Sequence, residues 1–360
     1  MLVGGLVSLV LVAVLLIWVD PAELAVELAH QLRQVNLPLL AVAIGLYFVG
    51  VFVRALRWQL ILRPLVAVPV HRLFGVMIVG FTVNNLVPAR LGEIARAYLL
   101  LRSHRVRPAG TLATIMVERV LDGLVLCGFV LAGWLTLPLD PWVTTLGWVG
   151  TLGFLAGCVI LWFVANPSPS IIVLGRRLRD RLPARVGARL GPLMASFSEG
   201  LAIMRQARLL GTCLGLSLAA WLIEASMFYL IAIACGLVVA PFAPILAVGA
   251  ANLGTMIPAL PGYVGTFDFP LIAVMTLFQV ERAAATGYTI VVHAALIVPV
   301  VIVGLLLIAR EGLTLGTVTR PPLPTEPQPS SRIRRDDSDD HLRRVETNTR
   351  TLPEVGLGPD

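Results

Sequence analysis

A few clusters of ionisable and helix-breaking residues interrupt an otherwise apolar chain. Residues 81–100 read FTVNNLVPARLGEIARAYLL: an apolar run ends in Asn84, Asn85 and Pro88, then restarts as a helix with Arg90, Gly92, Glu93 and Arg96. Free backbone N–H groups and the positive dipole end at such a helix start favour an anion. Arg90 and Arg96 lie three residues either side of Glu93, so all three share one helical face. That set suits a phosphate, with Glu93 fixing the arginines; the plainer alternative is an ordinary salt-bridged helix. A second cluster, ERVLD, holds Glu118, Arg119 and Asp122, with Arg119 spaced to pair with Asp122. Glu224 is isolated in another apolar run and is a second candidate partner for Arg119. Ionisable groups inside a spanning helix are costly, so these must face the bundle interior as ion pairs or along a substrate or proton path. The last cluster, IPALPGYVGTFD at 257–268, contains Pro261, Gly262 and Gly265 and closes on Asp268. His293 stands alone and reads as a packed core histidine.

No Walker loop, HExxH, CxxC or nucleophile elbow occurs, and the acidic run DDSDD at 336–340 lies in a polar tail. Cys127, Cys158, Cys213 and Cys235 sit singly in or at the ends of apolar runs, without metal-ligand spacing or a disulfide framework. No metal and no cofactor is expected. The 360 residues are 57% hydrophobic and 14% charged, with a mean hydropathy of +0.87. Soluble domains carry roughly 25% charged residues, so the composition is that of a polytopic membrane protein. The net charge of +7 rests on 28 basic residues, every one an arginine. This excess suits an anionic membrane surface. The arginines are dispersed among apolar runs, which argues against a nucleic-acid partner.

The elements that must position these clusters follow from run length. A spanning helix needs about 20 apolar residues, and residues 2–19, 37–62, 111–137, 142–165, 209–240 and 286–309 qualify. The first lacks a positive n-region and reads as an uncleaved span. Arg54, Arg57 and Arg63, gathered at the end of 37–62, and Arg72 after them place 63–72 in the cytoplasm and 20–36 outside. The run 73–87 is too short to span and has arginines on both sides, so a re-entrant hairpin from the cytoplasm is expected. The interrupted stretch 242–280 is expected to enter from the other face. Residues 166–208, with Arg176, Arg177, Arg179 and Arg181 among eight arginines, read as a cytoplasmic connector or an amphipathic helix on the inner leaflet. The expectation is an all-α polytopic helical bundle: about six full spans plus two re-entrant broken-helix elements in a membrane domain, 1–310. A disordered cytoplasmic tail, 311–360, would follow, with both termini cytoplasmic and the protein in the inner cell membrane.

The two interruptions resemble each other. One runs from Asn85 through VPARLG to Glu93, the other from Asn252 through IPALPGYVGTF to Asp268. Backbone that breaks at membrane depth survives only inside protein or along a polar cavity. Paired breaks entering from opposite faces form a weak inverted repeat and point to a midplane site.

NNLVPARLGEIARAYLL, ERVLDGLVL and PGYVGTFD together resemble the signature regions of the lysylphosphatidylglycerol synthase transmembrane family, also called flippase-like or UPF0104 proteins. The resemblance covers residues 2–310. It implies a membrane domain that moves lipid between leaflets, and stand-alone members that lack the fused aminoacyl transferase domain. Pro88, Arg90, Gly92, Glu93 and Arg96 match its first motif; Glu118, Arg119 and Asp122 match the second. Pro261, Gly262, Gly265, Phe267 and Asp268 match the third, with Tyr263 where glycine is often found and Asp268 where Glu is usual.

The expected function is binding or flipping an anionic amphipathic lipid, either a phospholipid or a polyprenyl-phosphate-linked lipid. The alternative is a membrane-embedded enzyme or accessory subunit of glycolipid or phospholipid modification; transport is favoured over catalysis. A second copy of the chain or a lipid-modifying enzyme is the expected protein partner.

Overall fold

The computed structural model describes residues 10–11, 21–87, 91–136, 141–166, 184–256 and 261–319. Within them the protein is a bundle of helices with no strand, as its composition requires. The expected first span, 2–19, lies outside the described residues apart from the helical Val10 and Leu11. Residues 20–36, expected only to link two spans, contain a helix, α1 (Pro21–Gln34). Pro21 opens it, and PAELAVELAHQLRQ is built from strong helix formers. Its Gln31 is 2% exposed and donates to the Ala284 carbonyl at 3.1 Å.

α2 (Leu37–Leu62) starts at Asn36, whose side chain accepts from the Leu39 N–H at 3.1 Å. Its 26 residues reach about 39 Å, enough for a hydrocarbon core of about 30 Å. It packs along α8 (Ala207–Ala234). Between them in sequence come α3 (Val70–Leu86), α4 (Gly92–His104), α5 (Pro108–Thr136), α6 (Pro141–Ala165) and α7 (Ala184–Gly200). After α8 follow α9 (Ala243–Gly254), α10 (Asp268–Leu277), α11 (Arg282–Arg310) and the short α12 (Leu315–Thr319). Leu37–Leu62, Trp148–Ala165, Ala207–Ala234 and Arg282–Arg310 are long and apolar enough to cross a membrane. α5 has the length of α11 but carries the ERVLD cluster.

α3 and α4 fold back on each other as a hairpin. With 17 and 13 residues they reach about 26 and 20 Å, short of a full crossing. The Gly92 N–H donates to Asn84 Oδ1 at 2.8 Å. Their backbones approach so closely that a Cβ on Gly92 would strike the Gly80 carbonyl, and one on Gly80 would sit 2.7 Å from Arg96 Cγ. The start of α3 (His71, Arg72), the end of α4 (Arg102, His104) and the end of α11 (Arg310) line one groove. Both ends of the hairpin therefore lie on one face of the bundle, as the arginine pattern predicts.

α9 and α10 form the second hairpin, with 12 and 10 residues. A 3-10 turn, Pro261–Tyr263, lies between them, and a Cβ on Gly254 would collide with the Thr266 carbonyl. Three residues in the stretch are left-handed: Gly262 (φ 73), Tyr263 (φ 60) and Gly265 (φ 85). Tyr263 thus adopts the conformation that glycine takes without strain.

Two further expectations need revision. The described part of the basic segment, α7, is not a free connector, since it packs on α5 where Gly200 meets Gly110. Arg205 then donates from Nε to the Ala165 carbonyl at 2.8 Å, closing the C-terminus of α6. Residues 167–183 lie outside the described set, as does the tail from 320. The polar tail does not begin at 311 as expected, because α12 is folded and its Val318 is fully buried with Val79, Val83, Ala95 and Ile308. The apolar residues of LTLGTV supply that contact.

Candidate functional site

The site is framed by ion pairs between α2, α4, α5 and α8. Arg57 grips Asp122 with both terminal nitrogens, Nη2 to Oδ2 at 3.1 Å, and also reaches Glu118 Oε1 at 3.3 Å. Ser217 and the Trp221 indole, which donates to Asp122 at 3.0 Å, complete that shell. Arg54 pairs with Glu224 at 2.7 Å and lies over the Trp221 ring. Asn252, at the end of α9, donates to the other Glu224 oxygen at 3.4 Å. Arg96 pairs with Glu118 Oε2 at 2.5 Å and stacks on Trp58, 3.8 Å from the ring centroid.

These partners differ from the expected ones. Glu224 belongs to Arg54, and Asp122 to Arg57, so neither pairs with Arg119. The reason is helical phase: Glu118 and Asp122 share a face turned to α2, while Arg119 follows Glu118 by about 100° around the helix. Arg96 and Glu118 are also not on the cavity wall; they are 2% and 0% exposed, buried where α4 meets α2 and α5. The close approach at Gly80 lays the Arg96 stem there. Pro88 and Arg90 lie outside the described residues.

A cavity of about 190 Å³ remains between the two breaks. Asn84, Asn85, Glu93, Arg119, Asp122, Glu224 and Gly262 line it, so both interrupted stretches and the ERVLD helix meet there. Gly92 ties the first break through Asn84. In the second, Asp268 Oδ2 accepts the Gly265 N–H at 2.8 Å, which fixes the helix start that Pro261 and Gly262 lead into. Arg119 has no carboxylate within ion-pair distance among the described residues, and its buried Nε lacks a hydrogen-bond partner. Glu93 Oε2 is likewise buried and unpartnered, while Oε1 accepts weakly from Asn84 at 3.5 Å. An arginine and a carboxylate oxygen are thus held open in a mostly apolar interior.

Sequence reasoning missed several of the lining residues. Arg54 and Arg57 read as cytoplasmic markers, though they sit inside the 26-residue α2 rather than at its end; that position was the available signal. Asn252 enters the sequence reading only through the repeat. His293, read as a packed core residue, lines the cavity and contacts both Asp268 and Gly262. Nothing in its local sequence marks it. Among the described residues, no cluster of His, Cys, Asp or Glu has the geometry to hold a metal ion.

Residues 2–304 match the family model for the lysylphosphatidylglycerol synthase TM region. A UPF0104 membrane protein of Methanothermobacter thermautotrophicus is 25% identical over 307 residues, 79% of this chain and 88% of the relative. The UPF0104 membrane protein MJ1078 of Methanocaldococcus jannaschii is 23% identical over 207 residues, 56% of this chain and 82% of its own length. Glycosyltransferase AglD of Haloferax volcanii is 27% identical over 326 residues, 81% of this chain but 51% of AglD, so the chain spans about half of that protein. No solved structure matches significantly. With three separated motifs converging on one cavity and the family model matching most of its length, this chain belongs to the lysylphosphatidylglycerol synthase TM region family of membrane proteins, together with the UPF0104 proteins.

Proposed function

We propose that the protein binds an anionic amphipathic lipid in this cavity and moves it between leaflets. The observation that carries the reading is Arg119. Arg54, Arg57 and Arg96 each hold a carboxylate, whereas Arg119 reaches the cavity wall with none at ion-pair distance among the described residues. Glu93, Asp122 and Glu118 act on its charge through space without a direct contact, and a phosphate would supply charge-assisted hydrogen bonds to it. Glu93 would take a hydroxyl or ammonium of the same headgroup, and the acyl chains would stay in the bilayer. The flanking breaks give the headgroup a polar path through the apolar layer. The face carrying Arg72, Arg102 and Arg310 would be the cytoplasmic one in a cell membrane.

The resemblance to a relative named as a glycosyltransferase supports a second reading, in which the lipid is a polyprenyl-phosphate glycan and the chain serves glycolipid synthesis. Purified protein in liposomes separates the two. Fluorescent phosphatidylglycerol and a fluorescent polyprenyl phosphate are tested in turn for loss of inner-leaflet protection from dithionite. Acceleration of either supports flipping and names the lipid class. Acceleration of neither, with a sugar transferred from a nucleotide-sugar donor, overturns flipping in favour of the enzyme.

A further inference from the structure

The His293 ring is held at both nitrogens by oxygen atoms: Nδ1 lies 2.6 Å from Asp268 Oδ1, and Nε2 lies 2.6 Å from the Gly262 carbonyl. A backbone carbonyl only accepts, so Nε2 carries a hydrogen. An ionised carboxylate also only accepts, so Nδ1 must carry one too. The pair therefore holds one proton more than a neutral histidine beside an ionised aspartate.

We propose that His293 and Asp268 form a proton-binding site that latches the second break to α11. With the extra proton bound, the ring bridges Asp268 at the start of α10 and Gly262 in the left-handed turn. When the proton leaves, the ring keeps a single N–H and must release one of these oxygens. The turn that lines the cavity then loses an anchor to α11. His293 itself lines the cavity, which gives the proton a route to and from the pair. Of the other titratable groups on that wall, Asp122 and Glu224 are held by Arg57 and Arg54, and the rest are Glu93, Arg119, Tyr47 and Tyr263. On the flippase reading, on which this last step alone rests, opening the cavity at the second break releases one proton, so lipid movement is coupled to a proton gradient.

The latch is tested without any lipid substrate. Protein labelled with 15N-histidine is placed in phosphatidylcholine nanodiscs, and the His293 ring signals are identified by their loss in His293→Gln. Two proton-bearing ring nitrogens are expected below the transition and one above it. Hydrogen exchange of residues 261–267 supplies the second readout. Corrected protection should fall about tenfold per pH unit through the transition, as release of a single proton requires. In His293→Gln it should be low and independent of pH. A wild-type ring with one bare nitrogen throughout, or protection that does not change with pH, would overturn the latch. Neither outcome bears on flipping, which the liposome assay decides separately.

Discussion

Arg96 and Glu118 meet at 2.5 Å with almost no solvent exposure, and this contact ties the re-entrant hairpin to the helix that carries Arg119. Glu118 offers its other oxygen to Arg57, so one carboxylate joins α2, α4 and α5. Removing one partner of a buried pair leaves the other charge stranded, at a cost of about 3–5 kcal/mol. Glu118→Gln and Arg96→Met should each lower the unfolding temperature in detergent. Arg96→Met combined with Glu118→Gln should destabilise by less than the sum of the two. Full additivity would mean that the residues are not coupled.

The first hairpin depends on the absence of a side chain at residue 92. A Cβ there meets the Gly80 carbonyl and the Asn84 amide, so Gly92→Ala must spread the two helices or break the Asn84 link. Overpacking of this kind costs about 1–3 kcal/mol. A fall in stability is expected, along with faster exchange of the Gly92-region amides. Gly45 has open space around it, so Gly45→Ala is the neutral control.

Tyr263 should respond to substitution by backbone preference. Its φ of 60 is left-handed, a conformation that costs residues other than glycine about 1–2 kcal/mol. Tyr263→Gly and Tyr263→Asn should therefore leave the protein more stable than Tyr263→Val, although all three remove the same ring. Equal unfolding temperatures would show that the turn relaxes out of the left-handed region.

Much of this arrangement is legible in the amino-acid sequence alone. Runs too short to span, bounded by arginines or by Pro and Gly, predict both hairpins because the bilayer sets a minimum helix length. The three ionisable residues of ERVLD must be internal because charge facing lipid is costly. What local sequence cannot supply is which face meets which. Arg54 and Arg57 count toward the positive-inside pattern whether they end a helix or lie inside it. Their pairing with Glu224 and Asp122 depends on α2 packing against α8 and α5, so partners 65 and 170 residues apart are out of reach of spacing rules. His293 is similar, since only the fold brings Asp268 and Gly262 to its ring. The docking of α12 is hidden by the polar residues that follow it.

If Arg119 holds the headgroup of a lipid, its substitution must slow flipping while the protein stays folded. Arg119 makes no ion pair among the described residues, although Glu93 acts on it through space, so Arg119→Ala should lower the unfolding temperature by less than Arg96→Met does. Losing a charge-assisted contact worth about 1.5–3 kcal/mol should slow flipping of the accepted lipid roughly tenfold or more, and Arg119→Lys should recover part of it. An Arg119→Ala protein that is folded and flips the lipid at the wild-type rate would contradict the account.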